Sequence, residues 1–152
     1  MTKIALLLIF LIFPIATNSA DTCPRNNPEL PLMINGYYLV AELAIDNQSR
    51  QCGLSLRDSL PPDRGMLFIY RFRQAMAFWM KDTKIPLSIA FLNSNGIVIN
   101  IEDMVPMDTK TIIRSLRPAR YALEMNKDWF LLHDLKVGDY VHIKLPGNIL
   151  IE

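Results

Sequence analysis

Histidine is scarce in this sequence: His133 and His142 are the only two. They stand nine residues apart with no cysteine near either, which excludes the local spacings of zinc proteases and zinc fingers. Both read as ordinary surface histidines, His133 in a helix beside Asp134 and His142 pointing outward on a strand. The six glycines are scattered singly, which rules out a glycine-rich phosphate loop, and no Gly-x-Ser-x-Gly elbow marks a serine nucleophile. Cysteine is limited to Cys23 and Cys52, with no Cys-x-x-Cys redox pair. Past residue 20 no apolar run is long enough to span a bilayer, and there are no internal repeats or low-complexity tracts. No catalytic motif, cofactor motif or metal site emerges.

What is present begins with a short positive region at Lys3. An apolar run over residues 4–15 follows, broken only at Pro14, and then the small residues of 16–20. These are the three parts of a secretory signal. A spanning anchor would need ~20 apolar residues. The expectation is therefore a signal peptide over residues 1–20, cleaved after Ala20 or Ser19, and an exported protein in the periplasm or outside the cell. Cleavage leaves 132 residues, enough for one domain with a real core. Lys3 leaves with the signal and no acid does, so the mature chain has 15 basic and 15 acidic residues and no net charge. Nucleic acid and anionic membrane surfaces attract net positive charge, so neither is an expected partner, and no membrane insertion is expected after cleavage. In an oxidising compartment two cysteines favour a Cys23–Cys52 disulfide over two free thiols. Its loop of about 30 residues is worth ~3–4 kcal/mol in the chain-entropy model. Thr22 before Cys23 departs from the small residue that precedes a lipidated cysteine.

Residues 21–35 read as an irregular lead-in, 36–146 as a single domain and 147–152 as a tail. Strand-prone runs are expected over 37–45, 66–70, 75–80, 85–92, 97–102, 109–113, 119–125 and 140–145. Short helices are expected over 47–57, capped by Asp46, and over 127–135. Asn93-Ser94-Asn95-Gly96 between two β-prone runs signals a hairpin. Ile97, Ile99 and Ile101 alternate with Asn100 and Glu102, and Tyr121, Leu123 and Met125 alternate with Arg120 and Glu124. The fold class is α+β and predominantly β: a small, compact, barrel-like or sandwich domain with one or two short helices.

Several blocks stand in an order that resembles a known family. Gly53-Leu54 is followed by Arg57 and Leu60, then by Arg64-Gly65-Met66-Leu67-Phe68. Phe78-Trp79-Met80-Lys81-Asp82-Thr83 comes next, with Ile85-Pro86-Leu87 and Ile89-Ala90-Phe91 after it. Tyr121-Ala122-Leu123-Glu124-Met125-Asn126 and Val137-Gly138-Asp139 complete the set. Together they resemble domain-of-unknown-function family 192, an uncharacterised bacterial and archaeal family with many exported members. The resemblance implies a small β-rich α+β domain and carries no activity. The sequence departs from the family pattern at Ser55 (usually Met), Asp82 (usually Asn) and Ser88 (usually Asp).

The block at residues 78–83 is the best site candidate. Trp79 beside Lys81, Asp82 and Thr83 offers an apolar platform edged by hydrogen-bonding groups, the anatomy of a small-molecule site. The same residues also read as a core tryptophan, a solvated lysine and a turn. Glu124 adds an acid on the polar side of its strand, able to pair with Lys81, Arg114 or Arg120. The leading expectation is a non-catalytic domain that binds a small polar ligand or an envelope component through Trp79, Lys81, Asp82, Thr83 and Glu124. A second is an enzyme using Asp82, Glu124 or Asp103 as acid–base groups. A third is Cu(I) binding by thioethers, from Met76 with Met80 and Met104 with Met107, against which stands the ordinary use of methionine as core filler.

Overall fold

The computed structural model describes residues 23–152, so the expected signal peptide lies outside the described residues. In chain order the elements are β1 (Glu29–Ile34), β2 (Tyr37–Ala44), α1 (Asn47–Cys52), β3 (Arg64–Gln74), β4 (Ala77–Phe78), β5 (Leu87–Leu92), β6 (Val98–Met104), β7 (Ile113–Arg114), β8 (Ala119–Asn126) and α2 (Trp129–Leu132). Six strands form one sheet in the order β1-β2-β3-β8-β5-β6, and β4 pairs with β7 in a second, two-stranded sheet. The large sheet is open, with β1 and β6 at its edges, and does not close into a barrel. Its one parallel pair is β2 with β3, the pair bridged by the crossover through α1.

Alternation along the strands gives the sheet two apolar faces. One face carries Leu32, Leu43, Ile69 and Leu123 and is covered by Trp129, Phe130, Leu135 and Val141. The other carries Met66, Phe68, Ile89 and Phe91 and is covered by Leu54, Leu60, Met76, Met80 and Ile113. This second, lower face is covered by thin material: the loop after α1 and the segments around β4 and β7.

Several elements differ from the expectation for identifiable reasons. Residues 29–34, placed in the irregular lead-in, form an edge strand whose Leu30, Leu32 and Ile34 join the upper core. The expected helix over 47–57 stops at Gly53, which takes a φ of 51°. Its start is as expected, with Asp46 accepting from Ser49 N at 2.8 Å in a capping box. The helix expected over 127–135 is one turn long, ended by Asp134 at φ 55°. Asp108 accepts from the amides of Lys110 and Thr111, which turns the chain, and of the expected strand 109–113 only Ile113 is in one, the two-residue β7. The final segment makes an isolated bridge, Tyr140 to Ile97, in place of a strand over 140–145. Ile143, Leu145, Ile149 and Ile151 still pack on the upper core, so their apolar spacing is satisfied without a ladder. A bulge between Phe91 and Leu92 of β5 and their β6 partners sends Ile99 into the lower core and Ile101 towards the upper one.

Three sets of ties fasten α1, its following loop and the terminal segments to the sheet. Cys23 and Cys52 are joined in a disulfide with a Cα–Cα distance of 5.5 Å. Arg57 grips Glu42 with two hydrogen bonds, 2.5 and 2.7 Å. Arg50 donates to the carbonyls of Ile45, Ile69 and Glu152, fastening the C-terminus beneath α1. Reduction of the disulfide, or a paired Cys23→Ser and Cys52→Ser change, is expected to lower unfolding free energy by ~3 kcal/mol in a denaturant titration. Gly65 is pressed against β8, where an added Cβ would meet Met125 Sδ and the Glu124 carbonyl oxygen. Gly65→Ala is expected to cost ~1–3 kcal/mol in the same titration, through displacement of β8.

Candidate ligand-binding cleft

Glu124 sits in the middle of the sheet, opposite Met66 of β3 and Ile89 of β5. Its side of β8 reads in the sequence as polar and solvated. In the structure that side faces the lower core, and Glu124 is 5% exposed. No cation reaches it: a pairing with Lys81, Arg114 or Arg120, open to it on the sequence, does not form among the described residues. No fully enclosed side-chain oxygen among the described residues lacks a partner, so the unpaired carboxyl must border open space.

That space is a cleft of about 1000 Å³. Phe68, Leu87 and Glu124 come from the sheet beneath it. Arg50, Cys52 and Leu54 come from α1 and the loop after it, and residues 77–83 supply the opposite side. The two sides meet where Leu56 N donates to the Asp82 carbonyl at 2.8 Å. All five residues singled out in the sequence, Trp79, Lys81, Asp82, Thr83 and Glu124, line this one cleft.

Their roles within it differ. Trp79 is 53% exposed, so it belongs to the rim and not to the core. Phe78 beside it turns inward, edge-on to Phe68 at 4.9 Å and Phe91 at 5.6 Å. Lys81 Nζ lies 5.7 Å from the Trp79 ring centroid. Asp82 is exposed at a turn with φ 55°. Thr83 is buried, and its hydroxyl donates to the Lys81 carbonyl at 3.1 Å, which holds the turn. Met107 N donates to the Thr83 carbonyl and Met80 N to the Asp108 carbonyl, so the loop after β6 supports the Trp79 segment from behind.

Sequence reasoning missed Arg50 and Tyr70, which also line the cleft; the Arg50 guanidinium lies 4.9 Å from the Tyr70 ring centroid. Tyr70 had a signal, since it continues the period-two series Met66, Phe68, Tyr70. Arg50 had none, because its partners are backbone carbonyls far along the chain.

Other candidates lie elsewhere. Asp103 accepts from Ser88 Oγ at 2.7 Å, stands 3.9 Å from Lys127 and does not line the cleft. Met76, Met80 and Met104 are packed in the lower core and Met107 is exposed, so packing accounts for the buried three. His142 is exposed, as expected, but His133 is half-buried, stacked on Trp129 at 4.0 Å.

The two carboxyls buried among the described residues contrast in charge. Burial raises the Glu42 carboxyl, but hydrogen bonds from Arg57 and Asn27 and the Arg57 charge outweigh it, and the group ends below its ordinary value. Burial alone acts on Glu124 and pushes it up to about 8. An unfolded glutamate titrates near 4.5. Between those values the folded chain keeps a proton that the unfolded chain has lost, so stability falls as pH rises through this window. The expected loss is up to ~1.4 kcal/mol per pH unit, level below the window and again above it. Glu124→Gln, which mimics the protonated acid, is expected to remove that component of the slope in denaturant titrations across the window.

A family model matches residues 31–143, that of domain-of-unknown-function family 192, described as "Uncharacterized ACR". No curated protein matches the chain. Two crystal structures are similar in both fold and sequence. One is from Sinorhizobium meliloti 1021, a protein named as a candidate transcription regulator, 33% identical with a TM-score of 0.69; the match covers 75% of this chain and 91% of that one. The other is a protein of unknown function from Novosphingobium aromaticivorans DSM 12444, 30% identical with a TM-score of 0.68, covering 76% and 84% respectively. The match spans β2 to β8 with the cleft-lining residues of β3, β4, β5 and β8, and the chain belongs to domain-of-unknown-function family 192.

Proposed function

We propose that this chain is an exported, non-catalytic binding domain that holds a small polar ligand, or a polar group of an envelope component, in the cleft above Glu124. One observation carries the reading: a buried carboxyl without a partner lies beneath a cleft rimmed by Trp79. An unpaired buried acid costs stability, and a stabilising role would have given it a cation, as Arg57 serves Glu42. The cleft is concave and sets aromatic surface beside convergent polar groups, features shared with small-ligand pockets. Export is supported by the signal-like residues 1–20 and by the Cys23–Cys52 disulfide. Among the described residues no helix is long and apolar enough to cross a membrane.

The regulator role named for the Sinorhizobium protein gains no support here. α1 and α2 have six and four residues, too short to serve as a helix laid in the major groove of DNA. An enzymatic reading has one observation in its favour: Asp82 and Glu124 border the same cleft, and a carboxyl held protonated at neutral pH can act as a general acid.

A thermal-shift panel of cell-wall sugars, amino acids, amines and common metabolites tests the binding reading on the oxidised protein. A ligand at a hundred times its Kd adds ~2.7 kcal/mol, or a few degrees in Tm for a domain of this size. The expected result is at least one such shift, lost in Trp79→Ala and in Glu124→Ala while both variants stay folded. A shift that survives both changes, or a flat panel, contradicts the reading. Turnover of a bound compound that stops in Glu124→Gln would favour the enzyme.

A further inference from the structure

Glu42 and Glu124 are the two buried acidic residues among the described residues. They lie on the same sheet, on β2 and β8, with opposite endowments. Glu42 receives both arms of the Arg57 guanidinium and a third hydrogen bond from Asn27 at 3.0 Å. Glu124 receives nothing from the other described residues, and its cross-strand neighbours, Met66 and Ile89, are apolar.

The charged groups around the cleft do not fill the gap. Arg50 is spent on the carbonyls of Ile45, Ile69 and Glu152 and on Asn47 Oδ1. Lys81 is exposed and lies over the Trp79 ring. Asp82, also exposed, adds negative charge at the rim. Phe78, Trp79 and Tyr70 present aromatic surface to the same space, and aromatic faces attract cations. An acid without a counter-charge, beneath aromatic walls, is what a bound organic cation would complete.

We propose that the cleft selects small organic cations, primary amines or guanidines on an apolar stem, whose charged group gives Glu124 the counter-charge that Arg57 gives Glu42. This rests on the reading of the cleft as a ligand site. The step balances simply: the protonated Glu124 carboxyl releases its proton to buffer, and the carboxylate pairs with the incoming ammonium or guanidinium. With Glu124 protonated when empty, binding near pH 7 releases up to about one proton.

Calorimetry on the full mature chain, disulfide intact, tests this with 2-phenylethylamine and agmatine as cationic probes. The neutral 2-phenylethanol and the anionic 3-phenylpropionate serve as comparisons. Titrations at pH 7 in phosphate and in HEPES, neither of which carries a primary amine or a guanidine, give the number of protons exchanged. The expected result is that at least one cation binds about tenfold or more tightly than both comparison compounds, with proton release. Glu124→Gln, shown folded by its circular dichroism and Tm, should lose about tenfold in affinity and all of the released proton. Tighter binding of the alcohol or the anion, with a change in Trp79 fluorescence, overturns the cation inference and leaves the binding cleft standing. The same holds if neither cation binds while another compound in the thermal-shift panel does. Silence from every compound in both experiments overturns both.

Discussion

Both faces of the central strands must be kept from water, and the described residues offer little with which to cover one of them. Trp129, Phe130 and the C-terminal segment seal the upper face. The lower face is sealed by a six-residue helix with its following loop and by two strands of two residues each. Such short pieces cannot form a continuous layer. The opening they leave lies above Glu124, and the position of the cleft follows from the shortage of cover.

The same constraint explains why the covering pieces are tied so firmly. A loop without regular secondary structure forfeits backbone hydrogen bonds unless it finds specific partners. Here the partners are the Cys23–Cys52 bridge, the Arg50 clamp on three carbonyls, and the backbone bonds that join Leu56 to Asp82 and Met107 to Thr83. Asn100 adds another by holding the Arg114 carbonyl and the Leu116 amide from β6. The cleft is thus framed by fixed walls, and a ligand entering it would not need to order them first.

Much of this was legible in the sequence where local chemistry decides the outcome. The Asn93–Gly96 turn forms as its residues suggest, with Gly96 N donating to Asn93 O and the Asn93 side chain accepting from Asn95 and Ile97. The Asp46 cap, the cysteine pairing and the convergence of Trp79, Lys81, Asp82, Thr83 and Glu124 were also readable. What escaped depends on distant partners. Alternation marked Glu124 as facing away from Leu123 correctly, but whether that face meets water depends on Leu54, Met76 and Met80, remote in sequence. A one-residue bulge at Ile99 undid the simple division of the β6 isoleucines, and a bulge leaves no periodic trace. Residues 140–145 have a strand pattern, yet their apolar side chains reach the core without a ladder.

The central claim is that Glu124 is buried without a counter-charge beneath an open cleft. Carbon-detected NMR of the side-chain carboxyl, followed from pH 3 to 10 and assigned with Glu124→Gln, reads this directly. A single titration with its midpoint near 8, distinct from the other carboxyls, is the predicted result. A midpoint at or below the ordinary glutamate value of 4.5 would mean that a cation or a set of donors already serves the group, and would contradict the claim.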